Sequence, residues 1–294
     1  MTRRTALLAT GALLARAAGR LPANENVRWA LGANLWNSFP RVPFTDILDI
    51  MKDTGFIGIR LTQFPQILKT YDLTEAQLEK ELSARGLHVI TISFNGPAYD
   101  ASRRAQVLSS ARTAMEFLKR FGAQHLVVFS PSRSAGSGEA AFKTMCECFN
   151  QLGEMAGEMG FRAGLHNHLG QMVQDAEEVD RCMAMTDPKL FWFSPDTAHL
   201  HLAGIDVVKC MEKYKTRLML ADYKDAKKVG AKLTDNIFDL GDGEIDFPGC
   251  HRVLKSIGFR GWLCVDLDTA RKGPRASYER CGAYVVDKLE PIYV

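Results

Sequence analysis

Four side chains that could bind a metal ion are spaced along the second half of the chain. One is the imidazole of His166, and the other three are the carboxylates of Asp196, Asp222 and Asp266. Three carboxylates placed close together repel one another unless a cation lies between them, so the set predicts one divalent ion. One nitrogen and several oxygens suit Mn²⁺, Co²⁺, Zn²⁺ or Mg²⁺ without choosing among them. For each aspartate alone, the ordinary alternative is a helix N-cap.

The elements that would position these residues follow a repeating pattern. Longer amphipathic stretches, several of which end in the glycine of a helix C-cap, alternate with apolar runs that are typical of buried parallel strands. The predicted strands are "RWALGANLW", "GIRLTQF", "HVITISFNG", "QHLVVFSPS", "RAGLHNHLG", "LFWFSPDTAHL", "RLMLADYKDA" and "WLCVDLDTA". Eight strand-plus-helix units in roughly 265 residues predict a single (β/α)8 or TIM barrel over residues 26–294. A doubly wound open sheet is the alternative, but no GxGxxG follows the first run.

The barrel prediction places polar residues at one end. Active sites of this fold lie at the C-terminal ends of the strands, so the side chains there should converge on one pocket. Solvent-exposed loops are the alternative. The polar residues at predicted strand ends are Asn34, Asn37, Asn95, His166, His168, Asp196, His199, His201, Asp222, Lys224, Asp225, Asp266 and Asp268.

Composition limits the classes of partner. The chain of 294 residues carries a net charge of +3 and has a pI near 8.4, without a long basic run, so no nucleic-acid partner is predicted. The seven cysteines form an odd, scattered set without a CxxC pair, which indicates reduced and mostly buried thiols rather than a disulfide framework.

Residues 1–25 differ from the rest of the chain. The stretch "MTRRTALLATGALLARAAG" joins Arg3 and Arg4 to an Ala/Leu-rich segment, and Ala15-Arg16-Ala17 offers a cleavage site. It is similar to a twin-arginine export signal and predicts a periplasmic or exported protein. The segment is too short to span a bilayer, so no stable membrane anchoring is expected. The alternative is a cytoplasmic protein with an uncleaved extension or a misassigned start.

The chain resembles the sugar phosphate isomerase/epimerase-like (xylose isomerase-like) TIM barrels, and within them the inosose dehydratase branch. The resemblance covers nearly all of residues 26–294 and is densest after residue 160. The motifs that carry it are "HNHLGQMVQDAEEVDRCMAMTDP", "FSPDTAHLHLAG", "YKDA" and "GDGEIDFPGCHRVLKSIGFRGWLCVDLD".

This resemblance implies a ligand set for one divalent ion. Family members hold it with Glu, Asp, His and Glu on strands five to eight, and these positions fall on His166, Asp196, Asp222 and Asp266. Only Asp196 is unchanged, yet the total of three carboxylates and one imidazole is kept. The set is either a rearranged metal site or one that has lost its ion, and Asp268 is the alternative ligand on strand eight.

The family's chemistry is proton abstraction beside a sugar carbonyl. His168 and His199 are then candidates for proton transfer, and Lys224 is a candidate electrophile or acid. The alternatives are that His199 supports Asp196 and that Lys224 pairs with Asp225. Substrate hydroxyls would contact Asn34, Asn95 and Arg60, while Trp36 would offer an apolar wall or simply pack in the core.

The sequence is compatible with three functions. The first is a metal-dependent dehydratase or lyase that acts on a keto-cyclitol or keto-sugar. The second is a sugar isomerase or epimerase, and the third is a non-catalytic carbohydrate-binding barrel with a degenerate site. Each implies a small sugar or cyclitol as partner, and a homo-oligomer is left open.

Overall fold

The computed structural model describes residue 21, residues 26–134 and residues 138–293. The predicted export signal therefore lies outside the described residues, apart from Leu21. In the described part of the chain, no helix has the length and apolar character required to span a bilayer.

Eight parallel strands form the central sheet, and each of the eight predicted runs overlaps one of them. The strands are β1 Val27–Gly32, β2 Gly58–Leu61, β3 His88–Phe94, β4 His125–Phe129, β5 Arg162–His166, β6 Phe191–Phe193, β7 Ala221–Tyr223 and β10 Gly261–Val265. Their order in space is β6-β5-β4-β3-β2-β1-β10-β7. Isolated parallel bridges between Phe193 and Leu218 and between Asp196 and Asp222 join the two ends of the sheet, which closes the barrel and confirms the predicted (β/α)8 fold.

Helices cover the outside of the barrel. The α-helices are α1 Phe44–Asp53, α2 Gln66–Thr70, α3 Glu75–Arg85, α4 Arg104–Arg120, α5 Glu139–Glu158, α6 Ala176–Met185, α7 Thr197–Leu202, α8 Val207–Lys213, α9 Phe247–Ser256, α10 Pro274–Tyr284 and α11 Glu290–Tyr293. Short 3₁₀ helices span Ala33–Ser38, Ala101–Arg103, Lys215–Arg217 and Leu233–Asn236, and a π-helical turn spans Val285–Leu289. A two-stranded antiparallel ribbon, β8 Asp225–Ala226 and β9 Ile237–Phe238, follows β7.

Local sequence explains where several helices begin and end. Thr74 and Gln77 form a capping box at the start of α3, and Gly86 ends that helix with a positive φ of 65°. Asp175 and Glu178 form the equivalent box at the start of α6.

The barrel interior has an apolar lower layer and a polar upper layer. The lower layer is a buried cluster made of Ala30, Ile90, Val127, Met219, Leu220, Trp262 and Cys264. Side chains two residues apart on a strand point to the same face, so the residues that follow this layer also point inward. Asp222 follows Leu220 and Asp266 follows Cys264 in this way. The apolar layer thus supports a layer of charged groups at the C-terminal ends of the strands.

Candidate active site

His166 ends β5 with its ring buried and its tautomer fixed by the backbone. Its Nδ1 lies 3.0 Å from the carbonyl oxygen of Ser194, and because a carbonyl only accepts, Nδ1 carries the proton. Burial, reinforced by the nearby Arg60 guanidinium, lowers the pKa of His166 to about 3. The ring is therefore neutral, and its Nε2 lone pair lies 3.6 Å from Asp196 Oδ2 and 3.7 Å from Asp222 Oδ2.

Asp196 uses its two carboxylate oxygens differently. Oδ1 accepts hydrogen bonds from the backbone N–H groups of Ala198 and His199 and so caps α7, as the N-cap alternative predicted. Oδ2 faces the barrel interior, 3.0 Å from Lys224 Nζ. Burial disfavours the ionised form, but the Lys224 ammonium and the neighbouring histidines together outweigh it and hold the pKa of Asp196 well below its usual range. Capping and ligation therefore do not exclude each other at this residue.

His166, Asp196 and Asp222 lie close enough together to hold one metal ion. One ligand atom from each lies within 4.8 Å of the others, and all three residues are buried. Two ligands held at about 2.1 Å from one tetrahedral or octahedral ion lie roughly 3.0–3.4 Å apart, so small movements would complete such a site. Asp222 Oδ1 is also buried without a hydrogen-bond partner. The donor set therefore fits one divalent ion.

Asp266, the predicted fourth ligand, lies outside this group of three and beside two buried cations. Its Oδ2 is 2.7 Å from Lys224 Nζ and 3.0 Å from Arg60 Nη2. Burial opposes the ionised form of Asp266, but Lys224 and Arg60 lower its pKa. Gly32 makes room for this carboxylate, because a Cβ there would lie 1.9 Å from Asp266 Oδ1.

Lys224 and Arg60 supply two positive charges to the upper layer. Lys224 is 2 % exposed and contacts Asp268 at 3.3 Å in addition to Asp196 and Asp266. Although burial disfavours its charged form, these carboxylates raise the pKa of Lys224, so the ammonium keeps its proton at neutral pH. Asp225 is not its partner, because that carboxylate accepts backbone N–H groups instead. The alternative role that pairs Lys224 with Asp225 is therefore wrong.

His168 and His199 pack with ring centroids 3.6 Å apart and ring planes tilted by 34°, but they have opposite tautomers. His168 Nδ1 lies 2.8 Å from the Leu169 carbonyl and so carries the proton, which leaves Nε2 unprotonated on a half-buried ring. His199 Nδ1 accepts the Leu169 N–H, so its proton is on Nε2, 3.8 Å from Asp196 Oδ2. Burial and then Lys224 lower the pKa of His168, which keeps its ring neutral. Of these two rings only His168 therefore offers a lone pair, and His199 lies where it supports Asp196.

A polar cavity of about 200 Å³ opens above these groups. This is below the roughly 300 Å³ at which pockets for drug-sized ligands begin, so it suits one small polar molecule. Its lining residues are Asn34, Arg60, Thr62, Gln63, Ser93, Asn95, Phe129, His166, His168, Gln171, Lys224 and Asp266.

The residues predicted to bind substrate are divided between two cavities. Asn34 and Asn95 line the polar cavity, and Asn34 Nδ2 donates to Asp268 Oδ1. Arg60 also lines it, but its guanidinium is held by Asp222 and Asp266. Trp36 is 3 % exposed, packs on Tyr278 and lines an adjoining apolar cavity instead.

Two residues that hold the site together were missed from the sequence. The Asn167 side chain donates to the Asp196 carbonyl and accepts the Asp196 N–H. Thr197 Oγ1 lies 3.0 and 2.8 Å from the carbonyl oxygens of Asp222 and Lys224, which share its single hydroxyl proton, and it accepts the Lys224 N–H. Their positions next to His166 and Asp196 in the sequence could have indicated this role, because hydrogen bonds of this kind orient metal ligands.

Comparison with known proteins places the chain among related barrels. The family model of the xylose isomerase-like TIM barrel matches residues 48–281. An inosose dehydratase from Clostridium perfringens is 26% identical over 90% of this chain and 98% of its own length. Another, from Geobacillus thermodenitrificans, is 28% identical over 77% of this chain and 83% of its own length.

Solved structures share the fold. A sugar phosphate isomerase/epimerase from Parabacteroides distasonis superposes with a TM-score of 0.73 at 19% identity, covering 92% of this chain and 96% of that one. The IOLI protein, solved with a bound zinc atom, superposes with a TM-score of 0.73 at 16% identity, covering 90% and 99%. The resemblance drawn from the motifs is confirmed, and the chain belongs to the xylose isomerase-like TIM barrel family.

Proposed function

We propose that the protein is a divalent-metal-dependent dehydratase of a small keto-cyclitol or keto-sugar. The observation that carries this proposal is the convergence of His166, Asp196 and Asp222 beside the unprotonated Nε2 of His168, at the base of a small polar cavity. The inosose dehydratases among its relatives support elimination as the reaction.

The residues divide the work of a proton abstraction followed by loss of water. His166, Asp196 and Asp222 would hold the ion, with Asp266 as the remaining candidate ligand. When bound, the ion supplies Lewis acidity for substrate oxygens beside the carbonyl. His168 Nε2 accepts the proton from the carbon next to the carbonyl. The Lys224 ammonium donates a hydrogen bond to the departing hydroxyl, which takes the proton from His168 and leaves as water as its C–O bond breaks. Asn34 and Asn95 bind hydroxyls at the rim.

Incubation of the protein with Mn²⁺ and a panel of keto-cyclitols and keto-sugars in D₂O tests the reaction. A dehydratase converts one of them to a product lighter by one water. Solvent deuterium on carbon without loss of water would instead identify an isomerase or epimerase. Binding without either change would identify a carbohydrate-binding barrel.

An Asp222→Ala variant tests the metal centre in the same experiment. Elemental mass spectrometry should find about one equivalent of divalent ion in the parent protein and little in the variant, because one of the converging ligands is lost. Asp206→Ala is the matched control, since Asp206 caps α8 at the surface. Equal metal content and equal turnover in parent and Asp222→Ala would refute the assignment.

We also propose that residues 1–25 are a twin-arginine export signal and that the mature protein acts in the periplasm or outside the cell. Arg3 and Arg4, followed by the Ala/Leu-rich stretch, support this proposal.

A further inference from the structure

The Arg60 guanidinium reaches into the group of metal ligands from the opposite side of the barrel. Arg60 lies in β2 and is 2 % exposed. Its Nη1 donates to Asp222 Oδ2, and its Nη2 lies 3.0 Å from Asp266 Oδ2. Asp222 Oδ2 is also the oxygen that faces His166 Nε2 at 3.7 Å. The guanidinium and a divalent ion would therefore bind the same oxygen.

The charges in this layer do not balance without a further cation. Asp196, Asp222 and Asp266 bring three negative charges when ionised, whereas Arg60 and Lys224 bring two positive charges. Burial raises the pKa of Asp268, which contacts Lys224 and adds a fourth negative charge only when it ionises. Without Arg60 the layer would carry one more negative charge, and a buried divalent ion would be held more strongly because charges interact strongly away from water.

The geometry points to Arg60 as a residue that sets the metal affinity of the site by competing with the ion for Asp222 Oδ2. This inference rests on the proposed metal centre and adds a role beyond it. Arg60 then competes with the ion for this oxygen, and binding of substrate is not its main function. Binding of an ion at Asp222 Oδ2 would require Arg60 Nη1 to release that oxygen.

The test is a titration with Mn²⁺, with the free ion followed by electron paramagnetic resonance, on the full-length protein. Arg60→Gln should bind Mn²⁺ at least about tenfold more tightly than the parent, because both the rival donor and one positive charge are removed. Arg162→Gln is the matched control and should leave the affinity unchanged. Arg162 lies on β5, like His166, but at the other end of the strand, where it stacks on Trp192.

The outcomes separate this inference from the proposed function. Unchanged or weaker Mn²⁺ binding by a folded Arg60→Gln, beside a parent that binds one ion, would overturn the role of Arg60 alone. No binding by either protein would overturn the metal centre as well. If Arg60→Gln does not fold, Arg60→Lys serves instead, because a single ammonium cannot donate to Asp222 and Asp266 with the same fork. Several-fold tighter binding is then expected, and an affinity equal to that of the parent overturns the inference.

Discussion

At the scale of single residues, backbone partners distinguish the three histidines of the site. His166 and His168 donate from Nδ1 to carbonyls, whereas His199 accepts a backbone N–H at the same atom. A neutral imidazole has one donor and one acceptor nitrogen, so these contacts decide which nitrogen can bind a cation or a proton. His166 presents a lone pair to the carboxylates and His168 presents one to the cavity, but His199 presents an N–H.

His168→Gln should therefore lower kcat by at least about a hundredfold while about one equivalent of metal is retained. The physical reason is that the variant removes the unprotonated nitrogen but none of the metal ligands. Steady-state kinetics on the substrate found in the D₂O screen, together with elemental mass spectrometry, give both quantities.

His199→Gln is the informative comparison. It should weaken metal binding, because His199 lies beside Asp196, and it should affect turnover mainly through that loss. A His168→Gln variant that keeps its full kcat would show that another group accepts the proton.

Sequence reasoning found the candidate ligands and placed His199 beside Asp196, but it did not find the contact of Arg60 with the carboxylates. His166, Asp196, Asp222 and Asp266 could be chosen because the barrel brings the ends of its strands together. The contact between Arg60 and Asp222 joins residues 162 positions apart and depends on side-chain rotamers and on barrel closure. In the sequence, "GIRLTQF" is only an apolar run with one arginine, so nothing in it indicates the partner.

At the scale of elements, a buried aromatic cluster joins the C-terminal helices to the barrel. His251 of α9 stacks on Trp29 of β1 with ring planes at 14°, and its Nδ1 lies 3.2 Å from Tyr223 Oη of β7. Trp29 Nε1 donates to Glu290 of α11 at 2.8 Å. Burial lowers the pKa of His251 to about 4. The native cluster therefore contains a neutral imidazole at neutral pH.

This cluster predicts a pH dependence of stability. An unfolded histidine binds a proton below a pKa of about 6.5, so between pH 6.5 and pH 4 the unfolded chain takes up a proton that native His251 does not. The contribution of His251 to the free energy of unfolding is fully present above pH 6.5 and is lost as the pH falls towards 4. Between pH 7 and pH 5 this loss amounts to about 2 kcal/mol.

Urea unfolding of the parent and of His251→Phe at pH 7 and pH 5 measures this difference. The phenylalanine keeps an aromatic ring in the stack but cannot take up a proton. The variant should lose about 2 kcal/mol less stability than the parent between the two pH values. The same loss in both proteins would contradict the assignment.

The elements themselves were largely predictable, because apolar runs and glycine C-caps are local signals. The loop around "GDGEIDF" was not, although its motif stood out. The Asp225 carboxylate accepts the backbone N–H groups of Ala226, Gly241, Gly243 and Ile245 and so fixes this loop to the end of β7. A Cβ at Gly243 would lie 2.2 Å from Asp225 Oδ1, which explains the glycine. The conformation of this loop depends on a carboxylate that is distant in the sequence, so the sequence shows no periodic pattern from which it could be predicted.

At the scale of the whole molecule, all seven cysteines are free and buried, which confirms the prediction of reduced thiols. A chain with buried, unpaired thiols folds under reducing conditions without a disulfide to form. Twin-arginine signals belong to proteins that are exported after folding. The buried free thiols of the barrel and the sequence of residues 1–25 are therefore both consistent with export of an already folded protein.

Replacement of Arg3 and Arg4 by lysine should keep the protein in the cytoplasm and leave its first residues uncleaved. Cell fractionation and N-terminal sequencing of the parent and the double variant measure both effects. The parent should be found outside the cytoplasm, beginning between residues 18 and 26. A parent that stays in the cytoplasm with its first residues intact would contradict the export signal.

The two buried cations of the upper layer affect whether the protein can fold before it binds an ion. Many metal-binding domains cannot fold without their ion, because no other attraction holds the ligands together. Here Arg60 and Lys224 already attract the carboxylates, so the polypeptide can reach its final shape first and acquire the ion later. If it crosses the membrane as a finished barrel, the supply of ions at its destination decides which element it carries.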